Sequence, residues 1–193
     1  MERLITVFLA SILTHNIALT YILGMCPLIA ISKNLKTAKG MGISVAAVIT
    51  ITGALNWPIY RFLKSNNAET IGLLVFIITI AATVQLLELL LDKFIPSLYN
   101  AFGIFLPLIT VNCAVLAISL FMVNRAFGFL ETVFFSFGSG LGWALAIILI
   151  ASIREKMALN AKVPKGLEGA GIVMVIAGII SLAFMGFGGL VNF

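Results

Sequence analysis

Six apolar stretches, at residues 4–31, 41–63, 71–91, 99–123, 129–153 and 170–191, dominate this chain. Each is long enough to cross a ~30 Å hydrocarbon core as a helix, which takes about 20 residues. None shows the ten-residue alternation of a barrel strand, so the expected structure is an all-α membrane bundle. The chain is 62% hydrophobic and 10% charged, against about 45–50% and about 25% in soluble domains. A water-soluble globule, a disordered chain and a nucleic-acid binder are thereby excluded. The net charge of +5 belongs to loops that face the cytoplasm rather than to a polyanion site. Two cysteines are too few for a secreted disulfide framework. The first apolar run continues through His15 and Asn16, too long for the apolar region of a cleavable signal peptide. The linkers are short, so residues 1–193 are expected to form a single integral-membrane domain.

Orientation follows from counting basic residues on alternate sides. One side carries Lys33, Lys36, Lys39, Lys93, Arg154, Lys156, Lys162 and Lys165, which makes 8; the other carries Arg3, Arg61, Lys64 and Arg125, which makes 4. The positive-inside rule puts the first, third and fifth loops in the cytoplasm and both termini outside.

The chain also resembles itself. Residues 26–32, Cys-Pro-Leu-Ile-Ala-Ile-Ser, echo residues 113–119, Cys-Ala-Val-Leu-Ala-Ile-Ser, with four identities in seven. Gly40-Met-Gly42 opens the second stretch, and Gly140-Leu-Gly142 lies within the fifth. The echo relates the first stretch to the fourth, so two halves, about 1–95 and 96–193, hold three spans each. An odd number of spans makes the halves cross in opposite directions, the inverted-repeat arrangement of many transporters. Equivalent residues then sit at mirrored depths, and Cys26 and Cys113 can meet only near the midplane. Gly24 and Pro27 flank the first cysteine, and Gly103 and Pro107 precede the second. Helices one and four are therefore expected to be broken, with the freed backbone buried against protein.

Two readings of the cysteines stand at this point. Free cysteine is a small, commonly buried hydrophobe that needs no explanation. Alternatively the pair ligates a metal or an iron–sulfur centre. A 2Fe–2S cluster takes four ligands, usually thiolates, so His15 or a second subunit would have to supply the remainder.

Four segments carry a family resemblance: Leu23-Gly-Met-Cys-Pro27, the sixteen residues from Tyr99 to Ala114, Phe137-Gly-Ser-Gly-Leu-Gly-Trp143, and Ile153-Arg-Glu-Lys-Met157. They closely resemble the RnfA/NqrE family, membrane subunits of two bacterial redox pumps. One pump is the Rnf complex, a ferredoxin:NAD+ oxidoreductase; the other is the Na+-translocating NADH:quinone oxidoreductase, Nqr. Cys26 followed by Pro27, with a short second loop, looks more like RnfA, whereas the Gly-Ser-Gly-Leu-Gly-Trp and Arg-Glu-Lys-Met strings look more like NqrE. The RnfA-like reading is preferred, with NqrE as the alternative. The resemblance implies an all-α protein in the bacterial cytoplasmic (inner) membrane. It implies a homologous RnfE-like or NqrD-like partner, with Cys26 and Cys113 together supplying two of the ligands of one 2Fe–2S cluster shared across the pair. Electron transfer would be coupled to Na+ or H+ movement. Flavins, further iron–sulfur clusters, NAD and ferredoxin would belong to other subunits, and no complete catalytic site lies in this chain.

Among other polar residues, Gln85, Glu88 and Asp92 fall near the cytoplasmic end of the third stretch, with Glu88 and Asp92 on one helical face. Asp92 next to Lys93 reads as an interfacial pair. Glu88, a turn deeper, is a candidate for the ion path. His15 and Asn16 read as interhelical hydrogen-bonding residues, and Asn112 as a donor to the break or to a cluster sulfur. Gly138-x-Gly-x-Gly142 lies in an apolar helix, not after a strand, so nucleotide binding is not expected. Two rival functions remain: a stand-alone inverted-repeat secondary transporter, and a structural subunit with inert cysteines.

Overall fold

The computed structural model describes residues 2–67, 69–94, 107–160 and 169–186. Gly103, Lys162, Lys165, the first eight residues of the Tyr99–Ala114 motif and the end of the sixth stretch lie outside these residues. The regular elements among the described residues are all helices, with no strand. In chain order the helices are α1 (Glu2–Ile12), α2 (Met25–Ile31), α3 (Leu35–Ser65), α4 (Gly72–Phe94), α5 (Pro107–Thr110), α6 (Cys113–Asn124), α7 (Phe129–Asn160) and α8 (Ala170–Met185).

Three of them, α3, α4 and α7, are long and apolar enough to cross a bilayer unbroken. The first apolar stretch is divided into α1 and α2, and the fourth into α5 and α6, as the expectation of broken helices required. The position of the first break differs from the expectation. The chain leaves helix at residues 13–24, and Pro27 lies inside the first turn of α2. Proline is tolerated there because the first N–H groups of a helix have no intrahelical partner to lose. Two further boundaries shift outward. Helix α3 begins at Leu35 and so takes in Lys36 and Lys39, with Asn34 accepting from the Lys36 N–H at 2.9 Å as its N-cap. Helix α7 continues through Arg154 and Lys156 to Asn160.

The centre of the bundle is the pair α3 and α7, which pack against each other more extensively than any other two described elements. Small residues let their backbones approach. A Cβ on Gly42 would stand 3.1 Å from the Ala144 Cβ, and one on Gly140 would stand 2.8 Å from the Ala46 Cα. Gly42 thus faces Ala144 while Ala46 faces Gly140, so the two helices run antiparallel, joined by matching Gly-xxx-Ala steps. Close backbone approach through such steps substitutes van der Waals contact for the hydrophobic drive that lipid does not supply. Helix α1 lies along α7, where Phe8 and Phe137 stack at 6.0 Å. Helix α4 packs on α3, α5 and α6. Its outer face carries exposed Leu73, Leu74, Ile77, Ile78, Leu86 and Leu89, an apolar surface that water would not support but lipid does.

Candidate functional site at the two helix breaks

Both cysteines stand at the start of a short helix. Cys26 is the second residue of α2, whose N-cap, Gly24, has a left-handed backbone with φ of 77°. Cys113 is the first residue of α6, whose N-cap, Asn112, accepts from the Ala114 N–H at 3.0 Å. The two breaks meet. The Gly24 N–H donates to the Cys113 Sγ at 2.9 Å, joining segments 89 positions apart in the chain. Both thiols are free and exposed at the surface of the single chain.

Gly24 is enclosed from the protein side. A Cβ there would stand 2.5 Å from the Trp143 Nε1, 3.0 Å from the Asn112 Oδ1 and 3.1 Å from the Ala114 Cβ. No residue other than glycine fits this space, and the left-handed φ independently favours glycine. Trp143 is fully buried, and neither its Nε1 nor the buried Asn112 Nδ2 has a hydrogen-bond partner among the described residues. Buried donors left without acceptors cost roughly 1–3 kcal/mol each. They cluster behind the point where the two cysteine segments touch.

The donor set bears directly on which cofactor could bind. Among the described residues, no group of three or more His, Cys, Asp or Glu side chains is placed to hold a metal ion. Two exposed soft sulfur donors at adjoining breaks suit part of an iron–sulfur site, and they fall two ligands short of a whole one. His15 is engaged elsewhere, its Nδ1 lying 3.2 Å from the Tyr21 hydroxyl with the two rings stacked at 6.4 Å. Asn16 forms the interhelical contact expected of it. Its Nδ2 donates to the Gly142 carbonyl of α7 at 2.8 Å, and its Oδ1 accepts from the Ala18 and Leu19 N–H groups.

Two hydrogen bonds that no sequence motif indicates anchor the far ends of the echoed segments. Asn56 of α3 donates to the Ser119 Oγ of α6 at 2.7 Å, and the Arg154 Nη1 of α7 donates to the Ser32 Oγ beyond α2 at 2.6 Å. Ser32 and Ser119 close the two echoes, and Asn56 and Arg154 lie at the same distance beyond Gly42 and Gly140 (42 to 56, 140 to 154). The echo already contained both serines; their partners differ in type, so no motif search pairs them. Trp143 was likewise visible only as the end of a glycine-rich string. On α4, Glu88 is half-buried while Gln85, Asp92 and Lys93 are exposed.

A protein-family profile described as "Rnf-Nqr subunit, membrane protein" matches residues 4–191 of the chain. The E subunit of the Na+-translocating NADH-quinone reductase of Maridesulfovibrio salexigens is 49% identical, across 98% of this chain and 99% of its own length. The proteins of the same name from Psychrobacter sp. and Azotobacter vinelandii are 47% and 49% identical, again over 98% of this chain and 99% of each relative.

Proposed function

The chain belongs to the Rnf-Nqr family of membrane subunits, and from that premise we propose that it is the E-type subunit of a Na+-translocating NADH:quinone reductase. In this reading it contributes Cys26 and Cys113 to a 2Fe–2S cluster completed by a homologous D-type partner. Relatives at 47–49% identity over 98% of the chain, all named as that subunit, favour Nqr over the Rnf assignment preferred from motifs alone. Cys26-Pro27 keeps an RnfA-like character, but the proposed ligand role is the same in either complex.

The observation that carries the reading is the meeting of the two breaks, with the Gly24 N–H on the Cys113 sulfur and both thiols facing outward. An inert pair of cysteines has no need of exposure on a shared surface. A self-contained metal site would instead bring further ligands from this chain. An outward-facing pair leaves the remaining ligands to a second subunit. An inverted repeat is supported by the reciprocal Gly42–Ala144 and Gly140–Ala46 contacts. The matching bonds from Asn56 to Ser119 and from Arg154 to Ser32 support it further. A partner of the same fold facing the cysteines would supply two more thiolates by the same geometry.

When bound, such a cluster supplies a one-electron relay inside the low-dielectric bundle. This chain's residues hold the site. Cys26 and Cys113 present sulfur, Gly24 donates to one of those sulfurs, and Asn112 caps the helix that carries Cys113. The α2 and α6 ends are tied to the long helices by Arg154 and Asn56. Negative charge that arrives in such a site is expensive unless compensated, which is a route from redox change to cation movement. Glu88, the half-buried carboxylate of α4, is assigned to the cation path.

The test is substitution in the intact complex. Cys26→Ser and Cys113→Ser should each abolish the paramagnetic signal of the intramembrane cluster, lower the iron content by about two atoms and stop NADH-driven quinone reduction. A complex carrying either change with full iron content and turnover would overturn the ligand role. Substrate flux by the chain without redox partners would favour a secondary transporter instead.

A further inference from the structure

Resting on the ligand reading above, we infer that Gly24 and Trp143 are positioning residues that set the reduction potential of the shared cluster. Together they hold one backbone N–H on the Cys113 sulfur.

The Gly24 N–H reaches the Cys113 Sγ at 2.9 Å. A donor on a cluster sulfur stabilises the added negative charge of the reduced state and so raises the potential. That N–H is aimed by the left-handed conformation of Gly24, φ 77°, and the conformation is held from behind. The indole of Trp143, the largest fully buried side chain among the described residues, places its Nε1 2.5 Å from where a Cβ on Gly24 would stand, with the Asn112 Oδ1 and Ala114 Cβ at 3.0 and 3.1 Å from the same point. The indole comes from α7 and Gly24 from the cap of α2, while the sulfur belongs to α6. Three segments thus fix one hydrogen bond. Packing alone does not account for this arrangement. An apolar side chain would fill the same volume without a buried indole N–H that has no partner among the described residues, so a positional reason for the indole is indicated.

The experiment is an electron-paramagnetic-resonance redox titration of the whole complex, comparing wild type, Trp143→Phe and Gly24→Ala. Phe removes the Nε1 edge that faces Gly24 and leaves a smaller ring. Ala puts a Cβ into the indole and strains the backbone. Both variants should retain a cluster signal with its midpoint moved to lower potential. Gly24→Ala should reach about a tenfold change in the reduction equilibrium, which is 59 mV for one electron; Trp143→Phe should show a smaller shift of the same sign. If Gly24→Ala assembles poorly, Trp143→Phe alone decides the sign. Where Gly24→Ala lowers iron content, the double variant should recover part of it, because the Phe ring vacates one side of the space that the Cβ needs. Full iron content with wild-type midpoints in the variants that assemble would overturn the inference and leave the ligand role of the cysteines standing. An unchanged signal in Cys26→Ser and Cys113→Ser would remove the ligand role itself, and this inference with it.

Discussion

Glu88 sits on α4 one turn before exposed Asp92 and is half-buried. A carboxylate attracts a cation by charge, not by shape, so its neutral isostere should separate the two roles open to it. Glu88→Gln is expected to raise the half-saturating Na+ concentration for turnover about tenfold, the loss of about 1.4 kcal/mol of cation binding. Cluster content should be unchanged. Steady-state rates measured against Na+ concentration decide this. An unaltered Na+ response would assign Glu88 to the membrane interface, beside Asp92 and Lys93. Asn56 and Arg154 make a different point about single residues. They occupy corresponding places in the two halves and each donates to a serine that ends an echoed segment. One is a neutral amide and the other a cation, so the same structural task is met by different chemistry.

Among elements, the pairing of α3 with α7 governs the bundle, because every other described helix is placed against one or both of them or against the short helices they support. Their closeness rests on Gly42 and Gly140 lying against Ala144 and Ala46. Adding one methyl at this crossing forces the backbones apart. Gly140→Ala should therefore cost about 1–3 kcal/mol, the usual penalty for overpacking. Among the described residues, nothing lies within 4 Å of where a Cβ on Gly178, in α8, would stand. Gly178→Ala should be neutral or stabilising by up to ~1 kcal/mol, since alanine is the better helix former. Thermal unfolding of the detergent-solubilised complex would compare the two. Equal melting temperatures for the variants would show that the α3–α7 approach carries no special weight. The short helices behave differently from the long ones. Helix α2 has only seven residues, too few to be stable alone, and is held by its anchors at Gly24 and Ser32.

For the whole molecule, the decisive quantity is which face of the membrane each end occupies. The asymmetry of 8 basic residues against 4 predicts a cytoplasmic loop around Lys33, Lys36 and Lys39 and both termini outside. Single-cysteine labelling with a membrane-impermeant reagent should modify a cysteine placed after Phe193 in intact cells. One placed at Lys36 should react only after the membrane is opened. The reverse pattern would overturn the predicted orientation and, with it, the proposed pairing with an oppositely oriented partner. The exposed apolar face of α4 and the outward-facing thiols also divide the surface into two kinds. Lipid covers the first, whereas sulfur donors facing outward have no such use for lipid.

Sequence by itself determined the helical membrane class, because runs of about 20 apolar residues in lipid leave the backbone few ways to satisfy its own hydrogen bonds. It also picked out Cys26 and Cys113 and the expectation that their helices would break, since cysteine, glycine and proline have chemistry that neighbours cannot disguise. Motif comparison within the chain reached Ser32 and Ser119 as ends of an echo but not their partners. Tertiary structure decided the rest. It moved the first break upstream of Pro27 to residues 13–24, left Pro27 in the opening turn of α2, and extended α3 and α7 beyond their apolar cores. It brought the Gly24 N–H to the Cys113 sulfur and put the Trp143 indole behind it. Those contacts join α2, α6 and α7. Each depends on the separation and rotation of helices remote in the chain, set by close packing such as Gly140 against Ala46, and no local pattern of residues encodes that distance.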